Sequence, residues 1–120
     1  MDTTTDPDCL FCKIVAGTIP STEVADNDLA YAFRDLNPAM PTHVLVVPRK
    51  HIANAGELAH PGDAADLSGV FALAQEVVRL EGLEERGHRL VFNVGRESGN
   101  TVPHLHLHVL GGRSMGWPPG

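Results

Sequence analysis

Apolar positions recur with two different periods along this chain, and the period switches several times. Leu10, Phe11 and Ile14 share one side at helical spacing. Asp8 stands where it can cap a helix over residues 9–16, and Gly17 where it can end one. Glu23-Val24-Ala25, the polar turn Asp26-Asn27-Asp28 and the run Leu29 to Phe33 predict a hairpin. Asn37-Pro38-Ala39-Met40-Pro41 is loop by its prolines. Residues 43–47 form a β-branched run of the kind buried on both faces, closed by Pro48. Leu67, Val70, Phe71, Ala74, Val77 and Val78 repeat at i, i+3, i+4, i+7 and predict one long helix over 63–84, which Gly69 weakens without breaking. Residues 90–94 predict a further strand. A polar, glycine-bearing loop, Arg96 to Asn100, then leads into a strictly alternating stretch at 104–110. The ending, 111–120, is too rich in glycine and proline for regular structure.

Five strands and two helices, with neighbouring strands joined by short turns, predict the α+β class with an antiparallel sheet. The chain has 120 residues, which suits one domain, here 8–120 after a polar tail at 1–7. A hydrophobic fraction of 42% and a charged fraction of 20% are ordinary for a globular protein. The net charge of −6 argues against a nucleic-acid scaffold, though not against a small phosphorylated ligand. No apolar run reaches the roughly 20 residues of a membrane span, and the acidic start does not read as a signal peptide. The cytoplasm is the expected location.

The alternating stretch is His104-Leu105-His106-Leu107-His108-Val109-Leu110. On a strand, its three imidazoles would share one face at about 6.5 Å spacing, with aliphatics on the other. Three imidazoles on one face are expensive to bury unpaired, so a merely tolerated core row is the weakest reading. Two others remain: a zinc site with one position open to water, or covalent catalysis by one neutral imidazole helped by its neighbours. The preceding Asn93, Ser98, Gly99, Asn100 and Thr101 offer amides, hydroxyls and backbone N–H groups suited to an oxyanion such as phosphate.

Cys9 and Cys12 form a C-x-x-C with no thioredoxin-like βαβ pattern around it. Reduced thiols or a metal pair are both open at this point, and a tetrahedral zinc site would need two imidazoles more.

The row reads His-φ-His-φ-His-φ-φ, with φ apolar, and so resembles the histidine triad superfamily. Phe11-Cys12-Lys13-Ile14 with Gly17 and Ile19-Pro20, Ala32-Phe33-Arg34-Asp35, the stretch from Pro41 to His51, Gly111-Gly112-Arg113 and Trp117-Pro118-Pro119-Gly120 are similar to its nucleotide-binding Hint branch. The likeness runs from about Asp8 to the end of the chain. It implies hydrolysis of purine nucleoside 5′-phosphoramidates, lysyl-AMP-like compounds included, through a nucleotidyl-histidine. His106 would be the nucleophile, His108 would hold phosphate oxygens and help move protons, and His43 would orient the row. Asn93, Ser98, Gly99 and Thr101 would meet the phosphate or leaving group, and Asp35 the ribose hydroxyls of AMP or GMP. Leu10, Phe11, Ile14, Phe33 and Leu36 would line the base slot. The resemblance assigns structural zinc to Cys9, Cys12, His51 and His104, leaving the chemistry metal-free. It also implies a two-fold homodimer whose sheet continues across the interface, with residues 111–120 as an interface segment and Trp117 near the partner's substrate. Two other functions stay open: a metal-dependent hydrolase with the whole row on zinc, and a nucleotide-binding scaffold without turnover.

Overall fold

The computed structural model describes residues 5–58, 61–100 and 102–120. Its elements are α1 (Leu10–Val15), β1 (Glu23–Asp26), β2 (Ala30–Arg34), β3 (Thr42–Pro48), α2 (Ala64–Leu80), β4 (Arg89–Phe92) and β5 (Leu107–Gly111), with short 3₁₀ turns at Ala55–Glu57, Pro61–Asp63 and Arg96–Ser98. The five strands form one antiparallel sheet in the order β1-β2-β3-β5-β4. The α+β expectation holds.

Strand register divides the sheet into two faces. Ala32, Val46, Leu107 and Phe92 lie side by side across β2, β3, β5 and β4. Against this face α2 packs Val70, Leu73, Ala74, Val77 and Val78, which makes the main core. Phe33, Leu45, His108 and Val91 form the equivalent row on the opposite face. There α1 covers part of the sheet with Phe11 and Ile14. One face thus supplies stability, and truncating a side chain such as Leu107 to Ala would cost about 2–5 kcal/mol. The other face carries His108.

Three details depart from the sequence reading. The long helix stops at Leu80, four residues before the expected end, in a turn where Gly82 has φ +70°. Its buried stripe uses Leu73, while Phe71 is 38% exposed and Leu67 only half-buried. The histidine strand begins at Leu107, so His104 and His106 precede the ladder. Continuing the register would set Pro48 opposite Leu105, and proline has no N–H to give a ladder. Leu105 instead donates its N–H to the Ile52 carbonyl.

Gly69, midway along α2, is required by a close approach. A Cβ there would lie 2.6 Å from the Leu29 Cβ. The Asn27 side chain donates to the Gly69 carbonyl at 3.0 Å, so the β1–β2 turn is fastened to the helix at the same place.

Candidate active site and metal centre

α1 is capped by Cys9 and not by Asp8: the Cys9 Sγ accepts the Cys12 N–H. Asp6 ties in the segment before it, its carbonyl accepting the Cys9 N–H and its own N–H reaching the Cys12 Sγ at 3.5 Å; residues 1–4 of the expected tail lie outside the described residues. This first turn aims both sulfurs at His104. Cys9 Sγ is 3.3 Å and Cys12 Sγ 3.5 Å from His104 Nδ1, and His51 Nδ1 is 3.4 Å from Cys12 Sγ. All four donor atoms lie within 4.8 Å of one another. A tetrahedral zinc ion with its usual bond lengths sets neighbouring sulfur and nitrogen donors about 3.5 Å apart, so the set fits that ion.

The tautomer of His104 agrees with this use. His104 Nε2 lies 2.9 Å from the Pro48 carbonyl oxygen, an acceptor, so Nε2 carries the proton and Nδ1 turns a lone pair to the cysteines. The ring is fully buried, and that burial pushes its pKa down to about 4, keeping it neutral. Burial likewise pushes the Cys12 thiol up. A bound cation is what would hold these sulfurs as thiolates.

Two residues on, the arrangement changes. His106 Nδ1 lies 2.7 Å from the His104 carbonyl oxygen, so Nδ1 carries the proton. The lone pair then sits on Nε2, which no described residue engages. Phe11 packs edge-on to this ring at 5.1 Å and to the His104 ring at 5.9 Å.

His108 belongs to a third arrangement. The Ala39 N–H donates to His43 Nδ1 at 2.9 Å, so the proton of neutral His43 is on Nε2. That atom is 2.8 Å from His108 Nδ1 and 3.4 Å from Asp35 Oδ2. His108 Nδ1 therefore accepts, and its remaining proton is on Nε2, 3.4 Å from the Asn93 amide group, which can turn its oxygen to it. Burial first, then the neighbouring His106 and His43, push the His108 pKa down to about 4 against the opposing pull of Asp35. His108 is thus a neutral hydrogen-bond donor. Two nitrogens 2.8 Å apart are closer than two ligands of one tetrahedral ion, so Asp35, His43 and His108 form a hydrogen-bonded relay.

His106 and His108 open onto a cavity of about 290 Å³. Asp35 stands on its rim, and Leu10, Phe11, Ile14, Phe33 and Leu36 line it as expected from sequence.

A model of the HIT domain matches residues 16–115. The chain belongs to the HIT family. A HIT family hydrolase from Legionella pneumophila superposes with a TM-score of 0.90 at 48% identity, over 94% of this chain and 100% of that one. A histidine triad nucleotide-binding protein from Candida albicans superposes with a TM-score of 0.78 at 29% identity, over 92% of this chain and 83% of that one. A 14 kDa zinc-binding protein of Zea mays is 40% identical over 116 residues, 96% of this chain and 90% of its own length.

Within this HIT domain some expected contacts are not made. The Ser98 hydroxyl is exposed and donates to the Gly95 carbonyl at 2.7 Å, and a nearby backbone acceptor has captured it. Gly99 ends that turn at φ +82° and borders a hollow of about 570 Å³, which among the described residues shares only Val102 with the histidine cavity. Trp117 is 83% exposed and does not line this chain's own cavity; the expected contact is with the partner's substrate. Thr101 lies outside the described residues. Sequence reading missed Ile19, Pro20, Ser21, Arg34, Asn37, Leu45 and Val102 as cavity residues. Leu45 had a signal, since it alternates with His43 on one face of β3. Ser21 had none, because it sits in coil without a period.

Proposed function

We propose that this protein hydrolyses the P–N bond of purine nucleoside 5′-phosphoramidates through a nucleotide carried on His106. The observation that carries this reading is the tautomer of His106: with Nδ1 held by the His104 carbonyl at 2.7 Å, the bare Nε2 faces a cavity lined mainly by apolar side chains, with His108, Asp35, Arg34, Asn37 and Ser21 as its polar members. A neutral imidazole with a free nitrogen is a nucleophile at neutral pH.

In the first step His106 Nε2 attacks the α-phosphorus. An Nε2–P bond forms, the P–N bond to the leaving amine breaks, and the amine departs after taking a proton from solvent water. The phosphorylated ring is cationic, and the His104 carbonyl faces its Nδ1–H. His108 donates its Nε2–H to a phosphate oxygen, its orientation fixed through His43. In the second step water attacks phosphorus and gives up a proton to solvent, balancing the one the amine took, the Nε2–P bond breaks, and the nucleoside monophosphate and neutral His106 are released. Asn93 is proposed to meet the phosphate and Asp35 to accept from the ribose hydroxyls. Apolar contacts with Leu10, Phe11, Ile14, Phe33 and Leu36 hold the base.

Cys9, Cys12, His51 and His104 are the proposed zinc ligands. When bound, the ion clamps α1 to the segment carrying the nucleophile and takes no part in the bond changes. A homodimer is also proposed. It is supported by β4 standing at the sheet edge and by Phe71, 38% exposed, packed edge-on to Phe92 beside it. In the dimer, the 111–120 segment and Trp117 would reach the partner's substrate. No helix among the described residues is long and apolar enough to cross a membrane; a cytoplasmic location remains the proposal, consistent with reduced Cys9 and Cys12.

Turnover of adenosine 5′-phosphoramidate by wild type and His106→Ala tests the reading. Release of AMP by the wild type, with a loss of at least about a thousandfold in the variant, is expected. Binding of AMP with no turnover by the wild type would leave a nucleotide-binding module in its place.

A further inference from the structure

The sheet acts as a ruler beneath the cavity. The nucleophile precedes β5, Leu45 lies on β3 and Phe33 on β2, side by side on one face. Strands are spaced about 4.8 Å apart, so the β2 side chains stand two spacings, about 10 Å, from the β5 line. That is about the span from the α-phosphorus of a nucleotide to the outer edge of its base. On this far side Ser21 lines the cavity, among Ile14, Ile19, Pro20 and Phe33. Its Oγ shares a hydrogen bond of 2.7 Å with the Tyr31 hydroxyl, which is itself packed against the apolar cluster beneath α1.

We infer that the Ser21–Tyr31 hydroxyl pair reads the polar edge of the base in this cavity, and that it accepts adenine and guanine alike. The inference rests on the nucleotide reading above and adds a specificity determinant to it. Two hydroxyls that share one hydrogen bond keep one proton free. If Tyr31 donates to Ser21, the Ser21 O–H is free to donate to a carbonyl or ring nitrogen. If Ser21 donates to Tyr31, a lone pair of Ser21 accepts from an amino group. Reversal of one proton pair converts donor to acceptor at no change in heavy-atom positions. The pair thus rewards a polar six-membered ring over an apolar one without choosing between the keto and amino patterns.

The test measures the affinity of AMP, GMP and benzimidazole riboside 5′-monophosphate by calorimetry, for wild type, Ser21→Ala, Ser21→Thr and Tyr31→Phe. The benzimidazole compound keeps two fused rings but has no polar atom on the six-membered one. Wild type is expected to bind AMP and GMP within about twofold of each other, and both roughly two- to tenfold tighter than the benzimidazole compound. In Ser21→Ala that preference should vanish while the benzimidazole affinity stays the same. Ser21→Thr should keep the preference, and Tyr31→Phe, which frees the Ser21 hydroxyl to rotate, should weaken it for AMP and GMP equally. An AMP-to-benzimidazole ratio that is the same in wild type and Ser21→Ala overturns the inference. Because the readout is binding, failure of the phosphoramidase reading would show separately, as absent turnover with the base preference intact.

Discussion

The backbone carbonyl of His104 accepts the Nδ1 proton of His106, while the side chain of His104 turns its own Nδ1 to Cys9 and Cys12. One residue therefore serves the cysteine–histidine cluster with its ring and His106 with its peptide group. Phe11, between the two cysteines in sequence, touches both rings. The proposed metal centre and the proposed nucleophile are neighbours by construction, yet they use different atoms.

That separation sets the effect of losing the metal. Elemental analysis should find one zinc per chain in wild type and none in the Cys9→Ser, Cys12→Ser double variant. A structural zinc site contributes several kcal/mol to folding, so the midpoint of thermal unfolding should fall by more than about 10 °C. Turnover at a temperature where both forms are folded should change far less. A zinc-free wild type with unaltered stability would rule the centre out.

Asp35 lies on the cavity rim and close to His43 Nε2 at 3.4 Å. Asp35→Asn should raise KM for ribonucleotide substrates by about ten- to a hundredfold, as expected for losing charge-assisted hydrogen bonds. KM for 2′,3′-dideoxy substrates should hardly move. Equal losses on both would assign Asp35 to the His43–His108 relay alone.

The low pKa of His108 has a consequence for stability. An unfolded histidine titrates near 6.5, and burial brings this one to about 4. Between those values the unfolded chain binds a proton that the native chain does not, so stability falls as pH is lowered from about 6.5 towards 4. The midpoint difference between wild type and His108→Asn, measured by calorimetry at several pH values, should shrink over that window. A constant difference would mean that His108 is protonated at no cost in the fold.

Gly69→Ala should destabilise, although alanine is the better helix former by about 1 kcal/mol. The added Cβ would overlap Leu29 at its Cβ, which cannot swing away, and such overpacking costs about 1–3 kcal/mol. Chemical denaturation measures this directly, and a stabilised variant would contradict the packing described.

Hydrophobic periodicity located the elements, because both helix and sheet bury one side. Alternation in 104–110 found the strand that holds His108 but extended it over His104 and His106, which precede it. It could not say where the ladder stops, which depends on Pro48 from a distant strand supplying a carbonyl and no N–H. Helical spacing found α2 but placed Phe71 inside. The helix turns Leu73 to the sheet beside the expected Val70, Ala74 and Val77, a choice made by the partner surface. Ser98 had the right chemistry for a phosphate ligand, but the Gly95 carbonyl was nearer. Ser21 entered the cavity through coil geometry, which leaves no mark on periodicity.

The central claim is that His106 carries the nucleotide. Wild type mixed with adenosine 5′-phosphoramidate and quenched within milliseconds, without acid, should yield by mass spectrometry one adenylyl group on the peptide containing His106, and none in His106→Ala. Adenylate found on another residue, or full turnover by the variant, would contradict the account.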